Sequence, residues 1–175
     1  MQALHFIINA LLTLVVVAFL LRVLMPIVRA DFRSPIGEAV LRFTNPLVLP
    51  LRRVLKPAGR VDIAAIAALI LVQLLGTAVL LGIVSPSLVS VGSVLAIGLR
   101  ELLHTVLQFF TVAILIYAVL SWVAPGAHSP ANQLLTRICE PLLAPVRRVI
   151  PPIGGLDLSA LFVLIGLQAV MILLR

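Results

Sequence analysis

The sequence has little charge and almost no cysteine, and each shortage excludes a class of protein. Charged residues make up 11% of the chain, whereas an ordinary soluble domain carries about 25%. Hydrophobic residues make up 62%, so the composition excludes a soluble domain and predicts an integral membrane protein. The single cysteine, Cys139, excludes an internal disulfide and a cysteine-based metal cluster.

Sequence motifs of catalysis and cofactor binding are also missing. The chain contains no HExxH motif, no glycine-rich phosphate loop, no Ser/His/Asp grouping and no clustered carboxylates within its apolar segments. Its three histidines, His5, His104 and His128, do not recur at a common spacing, so they predict no paired haem or metal ligation. We therefore predict that the protein is not an enzyme and that it binds no cofactor and no metal.

Basic residues outnumber acidic ones and give a net charge of +7. Because these residues flank apolar segments, anionic lipid headgroups are nearer partners than nucleic acid, and we expect no nucleic acid to bind. Another membrane protein, or a second copy of the chain, is the alternative partner. Most of the basic residues fall in two groups, the first being Arg22, Arg29, Arg33, Arg42, Arg52, Arg53, Lys56 and Arg60, and the second Arg137, Arg147 and Arg148.

One stretch of the sequence occurs twice. Residues 34–62 and 129–157 align without a gap at an offset of 95 and are identical at twelve positions. A match of that density indicates an internal duplication. Each copy places a pair of arginines between prolines, as PLRRVLKP and PVRRVIPP, and ends on an aspartate. We predict two tandem repeats, residues 1–84 and 100–175.

Four apolar stretches are long enough to cross a bilayer, which needs about 20 residues. They cover about residues 6–25, 63–83, 102–123 and 158–174. The predicted fold is an all-α integral membrane protein, in which each repeat is a two-helix transmembrane hairpin with a basic, proline-rich amphipathic loop. Residues 85–99 are predicted to be an interfacial or re-entrant connector, which leaves the two repeats parallel.

The positions of the basic residues predict the orientation of the chain. Short loops rich in Lys and Arg stay on the cytoplasmic side of a membrane. Four spans place both basic loops on one side, whereas a fifth span would place one of them outside. We therefore expect the basic loops to be cytoplasmic and both termini to lie on the opposite, periplasmic side.

Each basic loop is expected to begin with a short helix on the membrane surface. Ser34 and Ser129 each precede a proline, the order typical of an N-cap followed by proline at the first helical position. Prolines at 46, 50, 141 and 145 are expected to kink the helix or make it restart, because a proline inside a helix removes a hydrogen bond. The arginines of these loops are the predicted contacts for lipid or for a partner protein: Arg42, Arg52, Arg53, Arg137, Arg147 and Arg148.

Two pairs of polar residues repeat in the second helix of each hairpin. Asp62 and Asp157 are expected to cap that helix or to latch the loop through the paired arginines, and a cation or proton site is the alternative. Gln73 and Gln168 lie eleven residues later, about three turns along the same helix face. We predict a polar contact between these two glutamines across the helices, and a polar permeation path is the alternative.

These residues resemble a known family. Two copies of P-x6-R-x3-P-L-x2-P-x-R-R-V-x2-P-x-G-x2-D, each followed by an apolar helix with a central glutamine, resemble the YggT family of bacterial inner-membrane proteins. The resemblance covers nearly the whole chain and implies a location in the bacterial plasma membrane. It also implies one of several functions: osmotic stress protection with effects on ion uptake, roles near cell division and nucleoid organisation, or, as in plastid relatives, help in attaching haem to a cytochrome.

Two hypotheses of function follow from the sequence. The first is a non-enzymatic membrane organiser or assembly factor, whose basic loops dock lipid or a partner membrane protein. The second is a small channel or transporter subunit that affects ion homeostasis through a polar helix face.

Overall fold

Helices account for the regular structure of the protein. The computed structural model describes residues 2–59, 61–123, 129–149 and 159–174, and within them the only strand-like pairing is an isolated bridge between Ala58 and Val61. The predicted all-α fold is therefore confirmed. The helices, in chain order, are α1 (Gln2–Ile27), α2 (Pro35–Arg52), α3 (Ile63–Val84), a short 3-10 helix (Pro86–Leu88), α4 (Val91–Val123), α5 (Pro130–Val149) and α6 (Ser159–Leu173).

Three of these helices are long and apolar enough to cross a membrane. Their apolar segments are Ala3–Ile27 in α1, Ile63–Val84 in α3 and Val91–Ser121 in α4. Helix α6 is also apolar but shorter. Large apolar side chains such as Phe6, Leu14 and Leu75 lie on their outer surfaces. A helix that is apolar on all sides is stable only in a core or in lipid, so these surfaces require a membrane.

Helix α4 begins earlier than the sequence suggested. Residues 91–99 were expected to belong to an interfacial connector, but they form the first turns of α4. The backbone N–H of Ser90 donates to Ser93 Oγ at 3.0 Å, and the N–H of Ser93 donates to Ser90 Oγ at 3.1 Å. This reciprocal capping starts the helix, and no proline interrupts it after Pro86. Only residues 85–90 remain as a connector.

The two proline-bearing helices begin as predicted. Ser34 Oγ accepts from the N–H of Gly37, and Ser129 Oγ accepts from the N–H of Asn132, both at 3.1 Å. Of the two expected effects of the prolines, a kink or a restart, the restart is wrong, because α2 and α5 each continue through two prolines. In α2, a buried stripe of Val40, Thr44 and Val48 packs against its neighbours and compensates for the missing hydrogen bonds.

Three buried clusters define how the helices pack. Val16, Phe19, Val48 and Ala64 belong to a cluster that joins α1, α2 and α3. A second cluster joins α4, α5 and α6. The third consists of Met25, Val40, Leu134 and Ile138, so α2 and α5 meet beside the carboxyl end of α1. Both basic helices therefore lie at the same end of the bundle.

Candidate functional site

A buried carboxylate lies between two arginines at the start of α3. Asp62 caps this helix, since its Oδ1 accepts from the N–H of Ala65 at 3.3 Å. Arg52 donates to both oxygens of Asp62, with Nε 3.4 Å from Oδ1 and Nη2 bonded to Oδ2. Arg22 Nε lies 3.9 Å from Oδ2. Two guanidinium groups thus face one carboxylate, and the cluster carries a net positive charge.

The ionisation of Asp62 follows from these contacts. Burial alone would raise the pKa of its carboxyl group. The hydrogen bond and the charge of Arg52, the N–H of Ala65 and the charge of Arg22 act in the opposite direction and prevail. The pKa of Asp62 therefore lies below its ordinary value, and the carboxylate is ionised at neutral pH.

Arg22 is a site residue that sequence reasoning assigned to the wrong place. It was grouped with the loop arginines, but it lies within α1, five residues before Ile27, and only 2% of it is exposed. Its guanidinium lies over the ring of Phe32, with Cζ 5.9 Å from the centroid. Within the ranges of the chain that the structure describes, its Nε and Nη1 atoms have no hydrogen-bond partner. An arginine inside an apolar segment was the signal in the sequence.

The second half of the chain uses the same motif differently. Tyr117 stands 95 residues after Arg22, at the corresponding position. Arg147, the counterpart of Arg52, donates from Nη2 to the Tyr117 hydroxyl at 2.8 Å and from Nη1 to Glu140 Oε2 at 2.9 Å. Its Cζ lies 5.7 Å from the Tyr117 ring centroid. Asp157 lies outside the described residues, so its predicted capping role stays a prediction.

The remaining predicted arginines lie on the surface of the basic end. Arg42, Arg53, Arg137 and Arg148 are all exposed. Arg137 Nη1 donates to the backbone carbonyl of Arg29, which ties α5 to the turn after α1. Two exposed valines directly follow the paired arginines, with 81% of Val54 and 80% of Val149 exposed. Each half thus presents a cation beside an apolar side chain.

A second polar feature lies between α1, α3 and α4. It is a cavity of about 380 Å³, lined by polar side chains that include His5, Gln73, Glu101, His104 and Gln108. Within the part of the chain that the structure describes, no three His, Cys, Asp or Glu side chains are arranged to hold a metal. The cavity lining thus combines amide, imidazole and carboxylate groups with apolar side chains such as Leu80 and Ile97.

The two repeated glutamines have different surroundings. Gln73 is buried, and its Nε2 donates to Thr77 Oγ1 of the same helix at 3.2 Å. Gln168 is exposed on α6, which packs against α4 and α5, whereas α3 packs against α1, α2 and α4. The expected contact between the two glutamines is replaced by the bond to Thr77, because α4 lies between α3 and α6.

The lone cysteine is not a reactive group. Cys139 is fully buried in α5, and burial raises the pKa of its thiol to about 12. Since the thiolate is the nucleophile, a thiol with this pKa is inert at neutral pH. Cys139 serves as part of the packing between α4, α5 and α6.

Comparisons with known proteins place the chain in a family. The sequence model of the CCB3/YggT family matches residues 1–83 and 96–175. Relatives include an uncharacterised Pseudomonas aeruginosa protein, PA0392, which is 36% identical over 94% of this chain and 84% of its own length. A Vibrio alginolyticus protein encoded in the proC 3' region is 37% identical over 96% of this chain and 91% of its own length. No solved structure matches the chain.

The Escherichia coli K12 protein YggT is 30% identical to this chain, and the match covers 97% of this chain and 88% of YggT. The resemblance drawn from the paired arginines, prolines and aspartates is therefore confirmed. Because one family model matches both halves, and relatives of 30 to 37% identity cover nearly all of the sequence, the chain belongs to the CCB3/YggT family.

Proposed function

We propose that the protein is a non-enzymatic membrane organiser or assembly factor, which docks anionic lipid headgroups or a partner membrane protein through its basic end. The observation that carries this proposal is the meeting of α2 and α5 around Met25. It brings the exposed Arg53 and Val54 and the exposed Arg148 and Val149 to one end of the bundle. We call this the docking surface; its further cations are Arg42, Arg52, Arg137 and Arg147.

The proposed orientation follows the charge of that surface. Two tandem, parallel repeats in the bacterial inner membrane would hold both basic loops in the cytoplasm and both termini in the periplasm. The match of the family model to each half supports the duplication. Cations beside apolar side chains are suited to the membrane interface, where the charge meets phosphate and the apolar group enters the acyl boundary.

Removal of two exposed charges from the docking surface is expected to weaken its selection of anionic lipid. Each interfacial cation contributes about 1 kcal/mol, so the double variant Arg53→Ala/Arg148→Ala should reduce the preference for phosphatidylglycerol over phosphatidylcholine by up to about 30-fold at low salt. Electron paramagnetic resonance of spin-labelled lipids around the reconstituted protein measures this preference directly.

The matched control removes a charge from the opposite end. Arg100 lies near the start of α4, where its Nε donates to the carbonyl of Leu174. The variant Arg100→Ala should leave the lipid preference unchanged, whereas high salt should reduce the preference of the wild-type protein. Equal preferences in the wild-type protein and the double variant would contradict the docking proposal.

The polar cavity favours a second candidate function, a small channel or transporter subunit. Polar side chains within apolar spans commonly mark an ion or solute path, and such a path would account for a role in osmotic stress protection.

If the cavity conducts, potassium or sodium flux into liposomes should fall at least about tenfold with Gln73→Leu, since an apolar side chain there removes a hydration partner. Gln168→Leu is the matched control, because Gln168 lies outside the cavity. An absence of flux in the wild-type protein would eliminate this candidate.

A further inference from the structure

A cavity of about 510 Å³ opens beside the cluster of Arg22, Arg52 and Asp62. Phe32 forms one wall, and Pro26 and Leu41 add apolar surface. The cavity therefore combines a cationic end with an apolar side. We call it the Arg22 pocket.

The charges of this pocket are unbalanced. Arg52 and Arg22 both face Asp62, but Arg52 takes both carboxylate oxygens as acceptors, whereas Arg22 approaches only to 3.9 Å. Arg22 is only 2% exposed, and its Nε and Nη1 atoms have no hydrogen-bond partner among the described residues. Buried guanidinium N–H groups without an acceptor are costly, so this arrangement favours an additional anionic acceptor.

The chemistry of Arg22 identifies the type of anion. A guanidinium presents a rigid fork of N–H donors that matches the oxygens of a phosphate, and the Phe32 ring holds this fork in place through a cation–π contact. We propose that the pocket binds a phosphate group, carried either by a lipid headgroup or by a free phosphate ion. Arg22 and Arg52 would provide the donors, and Asp62 would hold Arg52 in position.

The depth of the pocket fits this ligand. Arg22 is five residues from the end of α1, which corresponds to about 7 to 8 Å along the helix. The headgroup region is about 5 to 8 Å thick on each side of the hydrocarbon core, so this distance reaches its inner edge. The pocket shares Arg52 with the docking surface, so this inference deepens the proposed function by naming one ligand group.

The second half of the chain supplies an internal comparison. Tyr117 replaces Arg22 there, and the guanidinium of Arg147 bonds to Tyr117 and Glu140. Among the described residues, Arg147 thus has a phenol and a carboxylate beside it, where Arg52 has the guanidinium of Arg22 and the carboxylate of Asp62. A phosphate group is therefore expected to bind more tightly beside Arg22 than beside Arg147.

The experiment is a titration followed by native mass spectrometry, with the protein in dodecyl maltoside and phosphate-free buffer. The three probes are phosphatidylglycerol, a diacylglycerol with the same acyl chains and inorganic phosphate. The wild-type protein should bind one phosphatidylglycerol more tightly than the diacylglycerol. Arg22→Gln should raise that dissociation constant at least about tenfold, because one of two phosphate-binding forks is lost. Arg100→Gln should leave it within about twofold, because Arg100 lies at the opposite end of the bundle and outside the docking surface.

The outcomes separate the sources and the two proposals. Binding of phosphatidylglycerol alone identifies a lipid headgroup, and binding of inorganic phosphate as well identifies the phosphate group itself; both support the pocket. An unchanged dissociation constant in Arg22→Gln, or an equal loss in Arg100→Gln, overturns it. If Arg22→Gln fails to fold, Arg22→Tyr is the second variant, because the second half of the chain has Tyr117 at the corresponding position. It should raise the dissociation constant for phosphatidylglycerol by the same factor. The Arg53→Ala/Arg148→Ala variant tests the docking surface independently, since neither residue lines the pocket.

Discussion

Asp62→Asn is expected to lower the free energy of unfolding by about 2 to 3 kcal/mol. Asparagine keeps a side-chain oxygen for the N-cap of α3, so the change isolates the loss of charge. Without the carboxylate, Arg22 stays buried with no counter-charge. Breaking a fully buried ion pair costs roughly 3 to 5 kcal/mol, and the lower figure applies here because 39% of the Arg52 side chain is exposed.

The measurement is an unfolding titration with sodium dodecyl sulfate from dodecyl maltoside micelles. Glu140→Gln is the control, since it removes an acid that pairs with Arg147, the counterpart of Arg52. Glu140 is 49% exposed and Arg147 is 28% exposed, so this variant should lose no more than about 0.5 to 1 kcal/mol. Equal losses in the two variants would contradict the assignment of Asp62 as the counter-charge of a buried arginine.

The depressed pKa of Asp62 gives the same prediction a pH dependence. A carboxyl group whose pKa is lower in the folded protein contributes stability that is fully present above its unfolded pKa of about 3.9. That stability is lost as the pH falls through the folded pKa. The wild-type protein should therefore lose its advantage over Asp62→Asn in strong acid, and the two unfolding curves should converge there.

Gly37→Ala is expected to lower the free energy of unfolding by about 2 kcal/mol. A Cβ atom on Gly37 would lie 2.7 Å from the backbone Cα and O of Phe32, a distance that requires the backbone to move. Overpacking of this kind typically costs about 1 to 3 kcal/mol. Phe32 also supports the guanidinium of Arg22, so the displacement should disturb the arginine cluster as well.

Gly82→Ala provides the comparison for this substitution. Gly82 lies in α3, and a Cβ atom there meets nothing within 4 Å. Because alanine favours a helix over glycine, this variant should be neutral or more stable by up to about 1 kcal/mol. The same titration measures both variants, and a Gly37→Ala protein as stable as Gly82→Ala would mean that α2 and the Phe32 turn are not in close contact.

Local chemistry made part of the fold predictable from the sequence. Ser34 and Asp62 each stand directly before a helix, where a side-chain oxygen has backbone N–H groups to accept from. The latch between Arg52 and Asp62 also follows from residues close in the sequence, since only the short segment after α2 separates them. These contacts depend on few neighbours, and the pattern around them is sufficient to propose them.

Other features depend on which helices become neighbours. The separation of Gln73 from Gln168 depends on α4 lying between α3 and α6, which the sequence did not indicate. The bond from Gln73 to Thr77 is local, since the two residues are four apart in α3. Arg22 was misplaced because a count of basic residues near a loop ignores the depth at which each lies. The start of α4 was missed because the capping serines, Ser90 and Ser93, stand among other serines and apolar residues that carry no strong signal.

The unequal lengths of α4 and α6 have a consequence for the lipid around the protein. The 33 residues of α4 extend about 50 Å, whereas the 15 residues of its neighbour α6 extend about 22 Å. A hydrocarbon layer of about 30 Å cannot match both helices. The bilayer should therefore be thinner along the flank of α6 than beside α4, and the protein should concentrate in membranes that tolerate such a step in thickness.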